Sequence, residues 1–129
     1  MTSDQIESTL KQIQSAMEDK VSPEDIDGVQ AKLCVLSGYI GTSAECIRYA
    51  KQAMLHKQRQ VLGSNIGAKH SPNILRQLVE SELFYEVAMV DYANRINAGI
   101  THTIDALRTV VSLYGKELET QNKVKTFTT

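Results

Sequence analysis

The sequence predicts an all-α protein, and three observations support that prediction. Aromatic residues are scarce, with no Trp, two Phe and five Tyr, and Pro occurs only twice. Such a composition lacks the aromatic-rich strands and Pro- and Gly-rich turns that are typical of an all-β fold. Apolar residues instead recur every three or four positions over long stretches, as they do along one face of a helix. At 129 residues, the chain has the length of one domain.

The first two helices are predicted from their apolar stripes and their start signals. We expect a short helix over residues 3–20 and a long one over residues 23–61. Ser22 is expected to cap the second helix, with Pro23 at its first position, where the missing N–H costs nothing. The spacing of the long stripe is close to a heptad repeat for about five heptads. The stripe consists of Ile26, Val29, Leu33, Leu36, Ile40, Ser43, Ile47, Ala50, Met54 and Val61.

A third helix is predicted for residues 72–118, and its start repeats the same signal with Ser71 and Pro72. The segment "GSNIGAKH", residues 63–70, contains two Gly, a Ser and an Asn, and it is expected to join the two long helices. Residues 120–129 are polar, and we expect them to form a flexible tail. The predicted single helical domain therefore spans residues 1–119.

Two long helices joined by a short connection predict a long antiparallel helical hairpin, with the short helix in front. Each long helix has roughly 40 residues and would span roughly 60 Å. One short helix covers only part of such a hairpin, which leaves apolar stripes without enough partners. We therefore expect a homo-oligomer that forms, as in a coiled coil, through the long helices.

Positive charge is concentrated in one block of the chain. Residues 1–45 carry eight acids and three bases, residues 46–79 carry six bases and no acid, and residues 80–129 carry seven acids and five bases. Several mobile cations without a neighbouring acid suit the phosphate backbone of a nucleic acid, although they do not read base sequence. A solvated basic face is the alternative. The predicted nucleic-acid-binding residues are Lys57 and Arg59 at the centre, with Arg48, Lys51, Lys69 and Arg76 in support.

Signals for catalysis and for cofactors are missing. His56, His70 and His102 do not have metal-ligand spacing, and the "GSNIG" segment lacks the Lys-Ser/Thr of a phosphate-binding loop. We therefore expect no enzyme, no metal and no organic cofactor. Cys34 and Cys46 are expected to be ordinary free thiols, as in proteins of a reducing compartment. The apolar runs are too short to span a membrane. A cytoplasmic protein without membrane contact is expected.

The layout resembles the UvsY-like family of phage recombination mediators. The similar features are an acidic N-terminal segment, a long helix that ends in the Lys-x-Arg pair Lys57 and Arg59, a glycine-containing connection and a second long helix. The segment "YANRINAGITHTIDALRTVVSLYGKEL" is similar to the last helix of that family. The resemblance implies an oligomer that binds single-stranded DNA at the Lys-x-Arg pair. It also implies two partners, a single-strand-binding protein and a RecA-like recombinase, which the oligomer helps to load.

A second function from another class fits the same residues. A helical structural, adaptor or sequestering protein of a phage or mobile element would use the basic segment to dock an acidic protein surface or a small phosphorylated ligand. This alternative predicts no affinity for DNA.

Overall fold

The computed structural model describes residues 1–65 and 70–128, and all regular secondary structure in these ranges is α-helical. The predicted all-α class is therefore confirmed. No helix in this part of the chain has an apolar stretch long enough to cross a membrane. The helices are α1 (Ser3–Glu18), α2 (Ile26–Ser64), α3 (Pro72–Glu82) and α4 (Phe84–Thr128).

Two of the helix starts follow from local sequence. Thr2 caps α1: its hydroxyl accepts the backbone N–H of Gln5 at 3.2 Å, and the Gln5 side chain accepts the backbone N–H of Thr2 at 2.8 Å. This reciprocal pair satisfies two donors that the first turn of a helix leaves free. At α3 the Ser71 hydroxyl accepts the N–H of Ile74 at 3.3 Å, and Pro72 is the first helical residue. The predicted start at Ser71 is thus confirmed.

The predicted start of α2 is wrong by three residues. The cap is Asp25, whose carboxylate accepts the N–H of Gly28 at 3.1 Å, and the Ser22 hydroxyl donates instead to the Glu24 carboxylate. Asp is as good a cap as Ser, and Gly28 leaves room for it, because a Cβ at Gly28 would lie 2.5 Å from Asp25 Oδ2. At its other end α2 continues to Ser64, beyond the predicted residue 61.

The predicted third helix, residues 72–118, is in fact two helices. α3 ends at Glu82, Leu83 leaves helical geometry with φ −96° and ψ 6°, and α4 begins at Phe84. No Pro or Gly lies at this break, so the sequence contains no conventional stop signal there. α4 then continues to Thr128, beyond residue 118, where the predicted third helix ends; Thr129 lies outside the described residues. The first helix ends at Glu18, two residues before the predicted end.

The core lies where α1 covers the pair formed by α2 and α4. Within that core, Ser43 is a fully buried polar residue, and its hydroxyl accepts a hydrogen bond from Asn97 Nδ2 at 2.7 Å, which links α2 to α4. Ile40, a member of the predicted α2 stripe, stays exposed, whereas Cys46, which is not a member, is buried. The core residues are Ile6, Leu10 and Ile13 of α1, Leu36, Cys46 and Ala50 of α2, and Met89, Val90, Ala93, Ile96, Ile100 and Ile104 of α4.

The contacts between α2 and α4 pair the end of one helix with the start of the other. Lys57, near the end of α2, lies beside Glu86 at the start of α4. Ser43 bonds to Asn97 near the middle, and Tyr114 of α4 shares a cavity with Glu24, which precedes α2. The C-terminal end of α2 is therefore beside α3 and the first turns of α4.

Candidate nucleic-acid interface

The predicted basic residues lie on α2 and α3. Arg48, Lys51, Lys57 and Arg59 belong to α2, and Arg76 belongs to α3. The last turns of α2 face α3, since Gln58 and Leu62 share a groove with Arg76. We call these five cations the basic end. The sixth predicted residue, Lys69, and most of the connection at residues 66–69 lie outside the described residues.

Four members of the basic end are exposed, namely Arg48, Lys51, Arg59 and Arg76. Among the described residues, none of these four forms an ion pair with an acid. The guanidinium of Arg48 lies 4.9 Å from the centre of the Tyr49 ring, where a cation–π contact leaves its charge available to solvent. Each of the four can therefore approach an anionic ligand without first breaking a salt bridge.

Lys57 differs from the other four cations. Its side chain is 41% exposed, and its Nζ lies 3.8 Å from Oε1 of Glu86, a residue of α4 whose side chain is only 16% exposed. The other oxygen, Oε2, is buried and has no hydrogen-bond partner in the part of the chain that the structure describes. Residues 46–79 thus contain no acid, but the packing of α4 against α2 places Glu86 beside Lys57.

Further acids lie on the α1 side of the same region. Burial, followed by the carboxylates of Glu7, Asp4 and Glu86, raises the pKa of Tyr85. These carboxylates favour the neutral phenol because they repel a second negative charge. Acids of α1 therefore lie near Tyr85, at the start of α4.

An apolar groove beside the basic end was not predicted. It has a volume of about 590 Å³ and lies between the end of α2, α3 and the start of α4. Phe84 is its most conspicuous member because 78% of its surface is exposed. The groove depends on the break at Leu83, and the sequence contains no signal for that break. The four-residue spacing of Leu75 and Val79 is a sequence signal for one apolar face of α3, but it does not indicate a groove. The lining of this tip groove consists of Gln58, Leu62, Pro72, Leu75, Arg76, Val79, Glu80, Leu83, Phe84 and Val87.

Residues that could carry other chemistry are dispersed. Within the described residues, no three His, Cys, Asp or Glu side chains come together as a metal site requires. His102 is exposed. Cys34 is exposed, whereas Cys46 is buried, and burial followed by the charge of Glu45 raises the pKa of its thiol.

No family model, curated protein or solved structure matches this chain. Function is therefore inferred from the charge and the shape of its surface.

Proposed function

We propose that the chain is a non-enzymatic, cytoplasmic, oligomeric protein that binds single-stranded DNA. The observation that carries the proposal is a set of four exposed cations on α2 and α3 that form no ion pair with the acids of the described residues, within a segment that contains no acid. Such an arrangement can hold phosphates without reading bases. The resemblance described above adds the proposed role: a recombination accessory protein that weakens the hold of a single-strand-binding protein and helps to load a RecA-like recombinase.

The positions of the cations favour a flexible strand over a duplex. Arg48 and Arg59 are separated by eleven residues of helix, or roughly 16 Å, and Arg76 lies on another helix. A single strand can bend from one cation to the next, whereas a stiff duplex, with a persistence length of about 150 base pairs, presents phosphates at fixed positions.

Oligomerisation strengthens this mechanism. One basic end, with its five cations, holds DNA weakly, because salt competes for each phosphate. Several basic ends in one assembly turn the later contacts into intramolecular ones and raise the overall affinity. The proposed oligomer, built on the antiparallel hairpin of α2 and α4, supplies that multiplicity.

Fluorescence anisotropy with labelled single-stranded and double-stranded oligonucleotides at low salt tests the proposal. The variant with Lys57→Ala and Arg59→Ala should lose single-strand affinity on the order of tenfold, or ~1.4 kcal/mol. The matched control, with Lys20→Ala and Lys116→Ala, removes two charges outside the basic segment and should bind as the parent does. Circular dichroism should show equal helicity in all three proteins.

The adaptor function predicts a different result in the same assay. A parent protein that fails to bind single-stranded DNA at low salt would exclude the recombination role. The basic end would then be assigned to an acidic protein surface or a phosphorylated ligand.

A further inference from the structure

Two apolar surfaces are left uncovered, and they lie at opposite ends of the molecule. The first is the tip groove, with Phe84 at its edge. The second is on the last part of α4, where every residue from 112 to 124 is exposed. Leu113, Tyr114 and Leu118 are 55%, 38% and 43% exposed there, and we call these three residues the tail face.

The tail face is convex, since it projects from a single helix. Tyr114 and Leu118 are one helical turn apart and therefore point to the same side, with Leu113 next to them. Pro23 and Glu24, which precede α2, are the neighbours of Leu113 and Tyr114. α2 itself starts only at Ile26, so the helix end beyond Leu118 extends past its long partner.

We propose that the tail face of one copy docks in the tip groove of a second copy, head to tail. A helix that inserts apolar side chains into an apolar groove is a common recognition mode. The inference rests on the self-association in the proposed function, but not on DNA binding, and it names the two surfaces that meet.

Charge supports a second copy as the occupant of the groove. Six of the ten residues that line the groove belong to residues 46–79, a segment with six bases and no acid. The charged residues of the lining itself are the base Arg76 and the acid Glu80. At the other end, residues 18–27 carry five acids and one base, and Glu24 and Glu117 lie around Leu113. Opposite ends therefore attract, while two basic ends or two acidic ends repel each other.

One chain cannot make this contact with itself. α2 has 39 residues and separates the two ends by roughly 58 Å. A contact between unlike surfaces is heterologous, so that each copy offers one free groove and one free tail face to the next. Such contacts produce a ring if the rotation closes, and a filament if it does not.

Complementation between two variants tests the contact, with light scattering after size-exclusion chromatography at micromolar concentration and without DNA. The tail variant carries Leu113→Gln and Leu118→Gln, and the groove variant carries Leu62→Gln and Phe84→Gln. Each should be monomeric. An equimolar mixture should form a heterodimer and nothing larger, since only one intact groove and one intact tail face remain for each pair.

A control variant with Val35→Gln and Ile40→Gln removes similarly exposed residues, at 51% and 41%, from neither surface, and it should assemble as the parent does. The inference is overturned if the tail and groove variants assemble like the parent, or if their mixture stays monomeric while circular dichroism shows both folded. If the parent assembles and the variants assemble equally well, only the head-to-tail contact is rejected. The proposed DNA binding would stand, because the DNA assay of the parent does not depend on this contact.

Discussion

Glu86 determines how much of the positive charge at Lys57 is available to a phosphate. At 3.8 Å the pair is beyond hydrogen-bond distance, and the second carboxylate oxygen is buried without a partner among the described residues. A DNA phosphate at Lys57 would have to share the ammonium with this carboxylate. In the proposed function, Glu86 would therefore oppose DNA binding, although it belongs to another helix.

Glu86→Gln should raise the affinity for single-stranded DNA about two- to fivefold, the range that corresponds to a partly exposed ion pair. The physical reason is that a neutral amide no longer competes for Lys57. Anisotropy titration at low salt measures the change. Glu80→Gln, the control, removes an acid of α3 that is not paired with Lys57 and should have a smaller effect. The same gain from Glu86→Gln in a Lys57→Ala background would show that the ion pair is not its origin.

The two thiols should differ sharply in reactivity. Cys34 is exposed, while Cys46 is buried and its pKa is raised, so that at neutral pH Cys46 stays protonated and covered. Because the thiolate is the reactive species, brief treatment of the folded protein with iodoacetamide should add one label, at Cys34. Peptide mass spectrometry locates the label. Equal labelling of both thiols before unfolding would contradict the packing of Cys46 against α1 and α4.

At the scale of elements, the sequence predicted helices better than it predicted their ends. The apolar spacing of Ile6, Leu10 and Ile13 correctly identified the buried face of α1, because periodicity depends only on local geometry. The cap at Asp25 was missed because Ser22 and Asp25 are equally suitable by type. The break at Leu83 could not be predicted, since it depends on how α3 and α4 pack rather than on a helix-breaking residue.

The candidate site shows the same limit. The block of bases was identified from charge alone, and the structure places Arg48, Lys51 and Arg59 in solvent. The Lys57–Glu86 contact and the groove at Phe84 join residues that are distant along the chain. Such contacts depend on how the helices pack in the tertiary structure, which local sequence patterns do not specify.

Gly38→Ala should stabilise α2. Gly38 and Gly41 lie within the continuous α2, and an added Cβ at either position meets nothing within 4 Å. Replacing Gly by Ala inside a helix typically contributes about 0.5–1 kcal/mol. Chemical denaturation followed by circular dichroism measures the gain. A loss of stability, or a smaller assembly, would show that another copy approaches α2 closely at this position.

The core itself is tested by a pair of matched truncations. Ile100 of α4 is fully buried, whereas Ile40 of α2 is 41% exposed. Ile100→Ala should lower the free energy of unfolding by about 2–5 kcal/mol, because it removes buried contacts and leaves a cavity. Ile40→Ala should lower it by less than about 1 kcal/mol. Urea unfolding gives both values. Equal costs would contradict the packing of α1 over α2 and α4.

For the whole molecule, the separation of unlike charges matters more than the net charge of −1. The basic end and the acidic residues near the start of α2 lie far apart, so that each copy carries unlike charges at its two ends. In a head-to-tail assembly the docked tail face would lie next to Arg76, while Arg48 and Lys51 remain at a distance on α2. A ring or filament would then repeat the basic end at regular intervals, which suits a long single strand.

The dependence of single-strand affinity on salt tests the central claim most directly. Each phosphate that is neutralised on a single strand contributes about −0.7 to the slope of log affinity against log salt, so four to six contacts predict a slope of roughly −3 to −4. We expect that slope for the parent protein with single strands of unrelated sequence, and a reduced slope for the Lys57→Ala, Arg59→Ala variant. An absence of binding at low salt, or a slope near zero, would contradict the assignment of the basic end to DNA.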